Sequence, residues 1–499
     1  MRLRAVFLTV FVIAACGLGY ELVAGSLASY LLGDSVTQFS VAIGLYLFAL
    51  GIGAALSRHV EARLVERFVD VELAVALLGG TLAGVLFFAF GEGRVFRPVL
   101  YGEILAIGTL VGLEIPLLIR ILEGEMSLKD LVARVLTFDY VGSLAVSILF
   151  PLFFVPKLGL VRTALLLGLL NAFVALWSTF VFEARLPRPT GLRVRAGAVI
   201  VLLCAGLAFA ETATRAAEAA SFPDEVIYAR STPYQRIVVT RGENGFSLWL
   251  NGALQFASQD EYRYHEALVH PAFAVSHDAR RVLVLGGGDG LAVREILRHP
   301  EVEKIVLVDL DEGVTRLARE LPRLAELNRG SLSDPRVTVV TDDAMRWLED
   351  RPGLFDLVVV DFPDPASFAV GKLYTTRFYA LLAGALAPDG VVAVQATSPL
   401  HARRSFWCVV RTMEAAGFST RPYRAFVPSF RGDWGFVLAS RRALPVPDRV
   451  IDGTRSLDPA SVAAMFVLPP DLGRVDGEVN RLDNQVLVHL YEEEVRSWN

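Results

Sequence analysis

Seven apolar runs, each close to the ~20 residues that span a bilayer as a helix, fill the first 220 positions of this 499-residue chain. They centre on 5–26, 36–57, 70–90, 99–120, 135–156, 161–182 and 195–214. Backbone polar groups in lipid must be satisfied within the segment, so runs of this length read as helices. The expected N-terminal architecture is an all-α, multi-pass membrane domain over 1–218. Arg2 and Arg4 precede the first run, and Ile13-Ala14-Ala15-Cys16 has the look of a lipoprotein signal. The apolar stretch continues past Cys16 and six runs follow, which favours a signal anchor. With the N-terminus inside, the inner stretches carry 12 Lys and Arg and the outer loops four: Arg94, Arg97, Lys157 and Arg162. The bias fits the positive-inside rule, but seven crossings would set the C-terminal half outside. Glu21, Glu103, Glu114 and Asp139 lie in or at the ends of these runs. A carboxylate there is a functional candidate or an interfacial or helix–helix contact.

Beyond about 220 the texture changes. Charged residues recur every few positions and apolar stretches shorten to four to eight residues. Net charge is −5, so no basic field invites nucleic acid. Three widely spaced cysteines, Cys16, Cys204 and Cys408, make no disulfide framework or metal site, and no His/Cys/Asp cluster has metal-ligand spacing. A hairpin is expected from 237–240 and 246–250 around the glycines at 242 and 245. Strands at 282–285, 304–308, 337–340, 356–360, 391–394 and 436–439 alternate with helices at 291–298, 312–320, 374–386 and 405–416. That alternation predicts a parallel, doubly wound, Rossmann-like α/β domain over 281–445. A linker and small β unit precede it over 219–280, and a partly helical tail follows over 446–499.

The chemistry sits at the strand ends. Gly286-Gly287-Gly288-Asp289-Gly290 follows the first strand, where glycines let a ligand approach backbone and the next helix offers free N–H groups. Asp309 closes the second strand, about 20 residues on, where an acid can hold ribose hydroxyls. Asp343 follows the third and can accept from an adenine amino group. Asp361 and Asp364 follow the fourth. No lysine of the Walker type follows the glycines. Ligands of open α/β sheets bind at the carboxyl ends of strands, so these five acids should share one crevice. Any one of them could instead cap a helix or make a turn. An acidic crevice repels phosphate and attracts amines or a sulfonium, which disfavours NADP.

Tyr264-His265-Glu266, the glycine run and Asp361-x-x-Asp364-Pro365 together resemble the spermidine synthase family of polyamine aminopropyltransferases over about 230–440. The stretch Leu250-Asn251-Gly252-Ala253-Leu254-Gln255 resembles the family's N-terminal β unit. The apolar runs and Val479-Asn480-Arg481-Leu482-Asp483 resemble a membrane-attached bacterial branch. The resemblance implies transfer of an aminopropyl group from decarboxylated S-adenosylmethionine, a co-substrate and not a prosthetic group, to a diamine such as putrescine. By family position Asp361 accepts the amine proton. Asp364, Asp289, His265 and Tyr264 meet the amine substrate or aminopropyl arm. Gln235, Gly286, Gly288, Asp309, Asp343 and Ala344 hold the nucleoside. Soluble members form dimers or tetramers, so the resemblance leaves a homo-oligomer open, and the membrane part can change that state. The substrates are cytoplasmic metabolites, which places the catalytic half on the cytoplasmic face of a bacterial inner membrane, against the charge count. Phe362 and Pro363 stand where the family has small polar residues, and Phe430 stands where it often has a tyrosine. Two other readings remain open: an S-adenosylmethionine-dependent methyltransferase, and a polyamine transporter or sensor whose soluble half only binds.

Overall fold

The computed structural model describes residues 2–32, 35–91, 95–350 and 353–496. The chain forms two compact units, Met1–Pro223 and Asp224–Asn499.

The first unit is helical: α1 (Arg2–Leu32), α2 (Ser35–Leu56), α3 (Leu64–Gly91), α4 (Phe96–Leu122), α5 (Leu128–Leu149), α6 (Val155–Val181) and α7 (Pro189–Ser221). The seven apolar runs fall on these helices in order. Among the described residues, six helical segments are long and apolar enough to cross a membrane, with 128–181 taken as one of 54 residues. An unbroken helix of that length would extend roughly 80 Å. It is interrupted instead by a π-helical turn, Phe150–Phe154, and by Gly159 at φ 75°, ψ 172°. Pro151 within that turn and Pro156 just after it lack the N–H an α-helix needs. Small residues let the helices close on one another. A Cβ on Gly112 would fall 2.3 Å from the Leu50 carbonyl oxygen, and one on Gly53 2.0 Å from that of Thr109. Helices α2 and α4 therefore pack backbone to backbone, as small residues permit in membrane bundles. The outer surface stays apolar, with Phe88 79%, Leu152 73% and Phe209 68% exposed.

The second unit opens with an antiparallel sheet of β1 (Glu225–Ser231), β2 (Arg236–Gly242), β3 (Gly245–Leu250) and β4 (Ala253–Ala257), in that order. Helix α8 (Glu261–Val275) leads into the larger domain. There β5 (Arg281–Gly286), α9 (Leu291–Ile296), β6 (Lys304–Asp309), α10 (Glu312–Glu320), α11 (Pro322–Leu327), β7 (Val337–Thr341), α12 (Ala344–Glu349) and β8 (Phe355–Asp361) alternate. They continue with α13 (Phe368–Gly371), α14 (Thr376–Ala385), β9 (Leu386–Gln395), α15 (Arg403–Ala415), β10 (Ser419–Val427) and β11 (Gly432–Ser440). The tail adds α16 (Pro459–Met465) and α17 (Val486–Arg496).

The sheet order is β10-β11-β9-β8-β5-β6-β7. Five strands are parallel, but β11 runs antiparallel to β9, and β10 to β11. This corrects the expectation of a wholly parallel sheet. Only the 3-10 turn Pro428–Phe430 and Arg431 join β10 to β11, whereas a parallel return needs a dozen or more residues. Strand β10 itself escapes a hydrophobicity reading because it carries Arg421, Pro422 and Arg424, a composition tolerated at an edge. Side chains alternate between faces: Val284 and Val359 join one apolar layer, and Leu283, Leu285, Val358 and Val360 the other. Burial on both faces is why these strands read as unbroken apolar runs.

Candidate active site

Strand β5 pairs with β6 on one side and β8 on the other, so the chain changes direction across the sheet at the carboxyl end of β5. Gly286, at φ 79°, turns the chain there, and a Cβ on it would sit 2.3 Å from the Asp361 carbonyl oxygen. The Gly287 N–H donates to that same oxygen at 3.1 Å. At Gly288 a Cβ would fall 2.6 Å from Asp309 Oδ2, which instead accepts the Gly288 N–H at 3.0 Å. The glycine run is thus drawn against both neighbouring strand ends by groups that sequence singled out.

Asp361 is the centre of the arrangement. The Tyr264 hydroxyl, delivered by α8, donates to Asp361 Oδ1 at 2.6 Å. Oδ2 faces Gly287. Burial raises the Asp361 pKa to about 6, the His265 charge opposing and the Asp289 charge adding to the shift. His265 Nδ1 lies 2.9 Å from Glu261 Oε2. Glu261 is held in turn by Arg294, whose Nη1 and Nη2 donate to it at 2.8 and 2.9 Å. Burial works against a charged His265, yet the Glu261 bond and nearby carboxylates lift its pKa to about 9. A buried imidazolium therefore sits among the acids at neutral pH. Asp289 accepts the N–H of Leu291, two residues on, at 2.8 Å, and burial raises its pKa.

Asp364 reaches the same crevice because Phe362 turns the other way. Phe362 packs at 5.6 Å on the ring of Phe378 beneath the sheet, and its carbonyl accepts from Gln395 Nε2 at 2.9 Å. The apolar residue between the two aspartates is thus an anchor for the loop. Asp364 Oδ1 accepts from Gln395 Nε2 at 3.1 Å, and Oδ2 from the Tyr491 hydroxyl at 2.6 Å. Burial lifts the Asp364 pKa to about 6 although both bonds pull it down. Asp309 is likewise raised by burial to about 6, while accepting N–H bonds from Gly288 and Asp311.

The remaining expected residues lie at the edges. Gln235 Nε2 donates to Asp311 Oδ2 at 2.8 Å, alongside Thr232, two residues beyond Asp309. Asp343 caps α12 through the N–H groups of Met345 and Arg346 and pairs with Lys372 Nζ at 2.5 Å. Burial opposes its charge, but the Lys372 bond wins and lowers its pKa. Ala344 is buried as the first residue of α12. Glu266, part of the recognised tripeptide, turns away and accepts from the Arg455 and Ser456 N–H groups at 2.7 and 2.8 Å. Phe430 stacks edge-on against Tyr264 at 5.9 Å and brings no hydroxyl.

Tyr491, Gln395, Lys372 and the Glu261–Arg294 pair were not singled out from sequence. Tyr491 is the most consequential. It rides on α17, which is tied down by two contacts. Asn480 donates to the Gly371 and Tyr374 carbonyls at 3.1 Å each and accepts from Leu487 N–H at 3.2 Å. Glu494 accepts the Arg404 and Ser405 N–H groups at 2.7 and 3.0 Å. Period-3.6 patterning can find such a helix, but it gives no sign of the carboxylate its tyrosine reaches.

Residues 261–446 match the spermine/spermidine synthase domain. The chain is 48% identical to a polyamine aminopropyltransferase of Leptospira interrogans, over 99% of each. It is 53% identical to polyamine aminopropyltransferase 2 of Ralstonia nicotianae, over 98% of this chain and 97% of that one. Identity to a polyamine aminopropyltransferase of Mycobacterium tuberculosis is 39%, over 100% and 97%. Among solved structures, a spermidine synthase in complex with the transition-state analogue AdoDATO is 28% identical, covering 49% of this chain and 86% of that one, with a TM-score of 0.46. The first three relatives match through the helical unit as well as the α/β domain.

Proposed function

We propose, for a chain that belongs to the spermine/spermidine synthase family of polyamine aminopropyltransferases, that its site transfers the aminopropyl group of decarboxylated S-adenosylmethionine to putrescine. The observation that carries this reading is Asp361: a partly buried carboxylate with one oxygen fixed by Tyr264 and the other turned to the glycine run. A free alkylamine is mostly protonated at neutral pH, so the nucleophile must lose a proton at the site. In the transfer, the amine lone pair forms a C–N bond to the aminopropyl carbon. The C–S bond breaks and its electron pair returns to sulfur, leaving neutral methylthioadenosine. Asp361 takes the amine proton, and a carboxylate lifted to about 6 is still ionised at pH 7 while being a better base than an ordinary aspartate.

Asp309 and the glycine run would hold the nucleoside, the N–H groups at the head of α9 lying beside it. Asp343 would reach an adenine amino group once Lys372 yields. Asp289 favours a donor ending in a cationic amine, since the carboxylate of ordinary S-adenosylmethionine would face a partly buried acid. The test offers both donors with putrescine to the purified full chain. Methylthioadenosine from the decarboxylated donor is expected. S-adenosylhomocysteine from the carboxylated donor would replace this reading with methyl transfer.

Tyr491 supplies the amine-side hydroxyl that Phe430 lacks. Tyr491→Phe should raise KM for putrescine about three- to tenfold, the net worth of one ordinary hydrogen bond, with kcat within twofold. An unchanged KM would remove Tyr491 from amine recognition.

We further propose that the helical unit spans the bacterial inner membrane and that the catalytic unit faces the cytoplasm. Counted as one crossing despite its bend, 128–181 makes six crossings among the described residues and brings both ends to one side. This reading sets Arg185, Arg188, Arg193 and Arg195 against the positive-inside rule. A cysteine placed at exposed Glu243 in the β2–β3 turn should resist membrane-impermeant maleimide in intact spheroplasts and react after lysis. Labelling before lysis would put the catalytic unit outside.

A further inference from the structure

Two carboxylates inside the helical unit have no cationic partner among the described residues. Glu72 of α3 is 0% and Glu114 of α4 2% exposed. Glu72 Oε2 accepts from Asn171 Nδ2 of α6 at 3.2 Å. Four buried polar atoms there have no hydrogen-bond partner: Glu72 Oε1, Glu114 Oε1, Asn171 Oδ1 and the Tyr20 hydroxyl of α1. The two carboxylates lie close enough to act on each other's charge, and both act on Tyr20 and Cys16. Cys16 Sγ of α1 donates to the Leu167 carbonyl of α6 at 3.5 Å, one turn before Asn171, and a Cβ on Gly17 of α1 would fall 2.9 Å from Val111 of α4, one turn before Glu114, so the cluster is drawn from four packed helices. Tyr20 is held in place by contact: a Cβ on Gly79 of α3 would fall 2.5 Å from its ring. Tyr46, nearby on α2, is different, because its hydroxyl is already used on the Gly17 carbonyl at 2.7 Å. The ion pairs of the unit, including Arg195–Asp70, Arg193–Glu183 and Arg185–Glu125, involve neither Glu72 nor Glu114.

Buried polar groups are nearly always paired, and buried carboxylates without partners are expensive, more so within an apolar helix bundle. A cluster of unfilled acceptors from separate helices calls for a compact cation rich in donors. A primary ammonium carries three N–H donors, and three carbonyl-type oxygens stand unfilled here. We infer that Tyr20, Glu72, Glu114 and Asn171 form a binding site for a primary ammonium group within the helical unit. The site uses none of the residues assigned to the transfer reaction. It gives this unit a ligand of the same chemical class as the substrate of the other, and its existence does not depend on the transferase reading.

The test is equilibrium dialysis of radiolabelled putrescine against the detergent-solubilised full chain. Two molecules bound per chain are expected. Glu72→Gln/Glu114→Gln should bind one fewer while keeping its transferase rate within twofold. If the catalytic site binds no putrescine, the count falls from one to zero in that variant, so failure of the transferase reading is seen separately. Tyr20→Phe removes only an unpaired hydroxyl and requires no repacking. It should weaken the affected site about three- to tenfold, which decides the matter if the double variant fails to fold. Stoichiometry and affinity unchanged in these variants would overturn the inference and leave the carboxyls as a protonated, structural pair. Release of the putrescine from this site by sodium or potassium, with no competition from methylamine, would also overturn it by assigning the oxygens to a metal cation.

Discussion

Asp361→Asn should lower kcat by about 10²–10⁴-fold, the usual worth of a positioned general base, and at the same time make the α/β unit more stable above neutral pH. The two effects have one cause. Asp361 is partly desolvated beside Asp289, which raises its pKa to about 6, above the ~3.9 of a free aspartate. A carboxyl whose folded pKa is raised favours folding relative to its ionised form only while it is protonated. The stability is fully present below about pH 4 and is lost as pH rises through about 6, so the ionised form destabilises the fold above that. A neutral asparagine keeps an oxygen for the Tyr264 hydroxyl and escapes the penalty, worth about 1–3 kcal/mol. Thermal unfolding followed at about pH 8 and about pH 4 checks this: the variant should melt higher at the first and equal to the parent at the second. The same pKa requires that kcat of the parent fall below about pH 6 as the base is protonated. A variant that keeps its rate, or melts lower at high pH, would remove Asp361 from its role.

Gly286→Ala should destabilise the α/β unit by about 2–5 kcal/mol and abolish nucleoside binding. A left-handed backbone costs an L-residue about 1–2 kcal/mol. Overpacking adds about 1–3 kcal/mol, because the new methyl meets the Asp361 carbonyl oxygen at 2.3 Å, backbone that no side-chain rotation can move. Relief would require β5 and β8 to part at the point where the Gly287 N–H bonds that oxygen. Gly330→Ala is the internal control. It too has positive φ, 65°, but nothing lies within 4 Å of its Cβ, so about 1 kcal/mol is expected. Urea unfolding of the three proteins separates the terms. Equal losses at both glycines would mean that φ alone matters and that the strand contact is not a constraint.

Much of this site could be read in the chain because its chemistry is concentrated at strand ends. The runs Val282-Leu283-Val284-Leu285 and Leu357-Val358-Val359-Val360 are fully buried. They and the acids that close them follow directly from a sheet covered on both faces. Asp289, Asp309, Asp361 and Asp364 do gather at one edge of it, each partly buried and each with a raised pKa. What sequence could not give falls into two kinds. Local composition hid β10, because an edge strand tolerates the arginines and proline that a central strand would not. Distance along the chain hid the rest. Tyr491 reaches Asp364 across 127 positions and Arg294 reaches Glu261 across 33, and no periodicity links such pairs. Asp343 shows the opposite limit: a strand-end acid that fits the motif also caps α12 and pairs with Lys372. Phe362 looked like a departure between the two aspartates, yet its ring is what holds their loop against the sheet.

The most direct measurement follows both products of one reaction. The purified full chain is given decarboxylated S-adenosylmethionine and putrescine, and methylthioadenosine and spermidine are quantified together by mass spectrometry. The expected result is equal amounts of the two, formed by the parent chain and nearly lost in Asp361→Asn. Methylthioadenosine without spermidine, or equal rates in parent and variant, would contradict aminopropyl transfer to putrescine through Asp361.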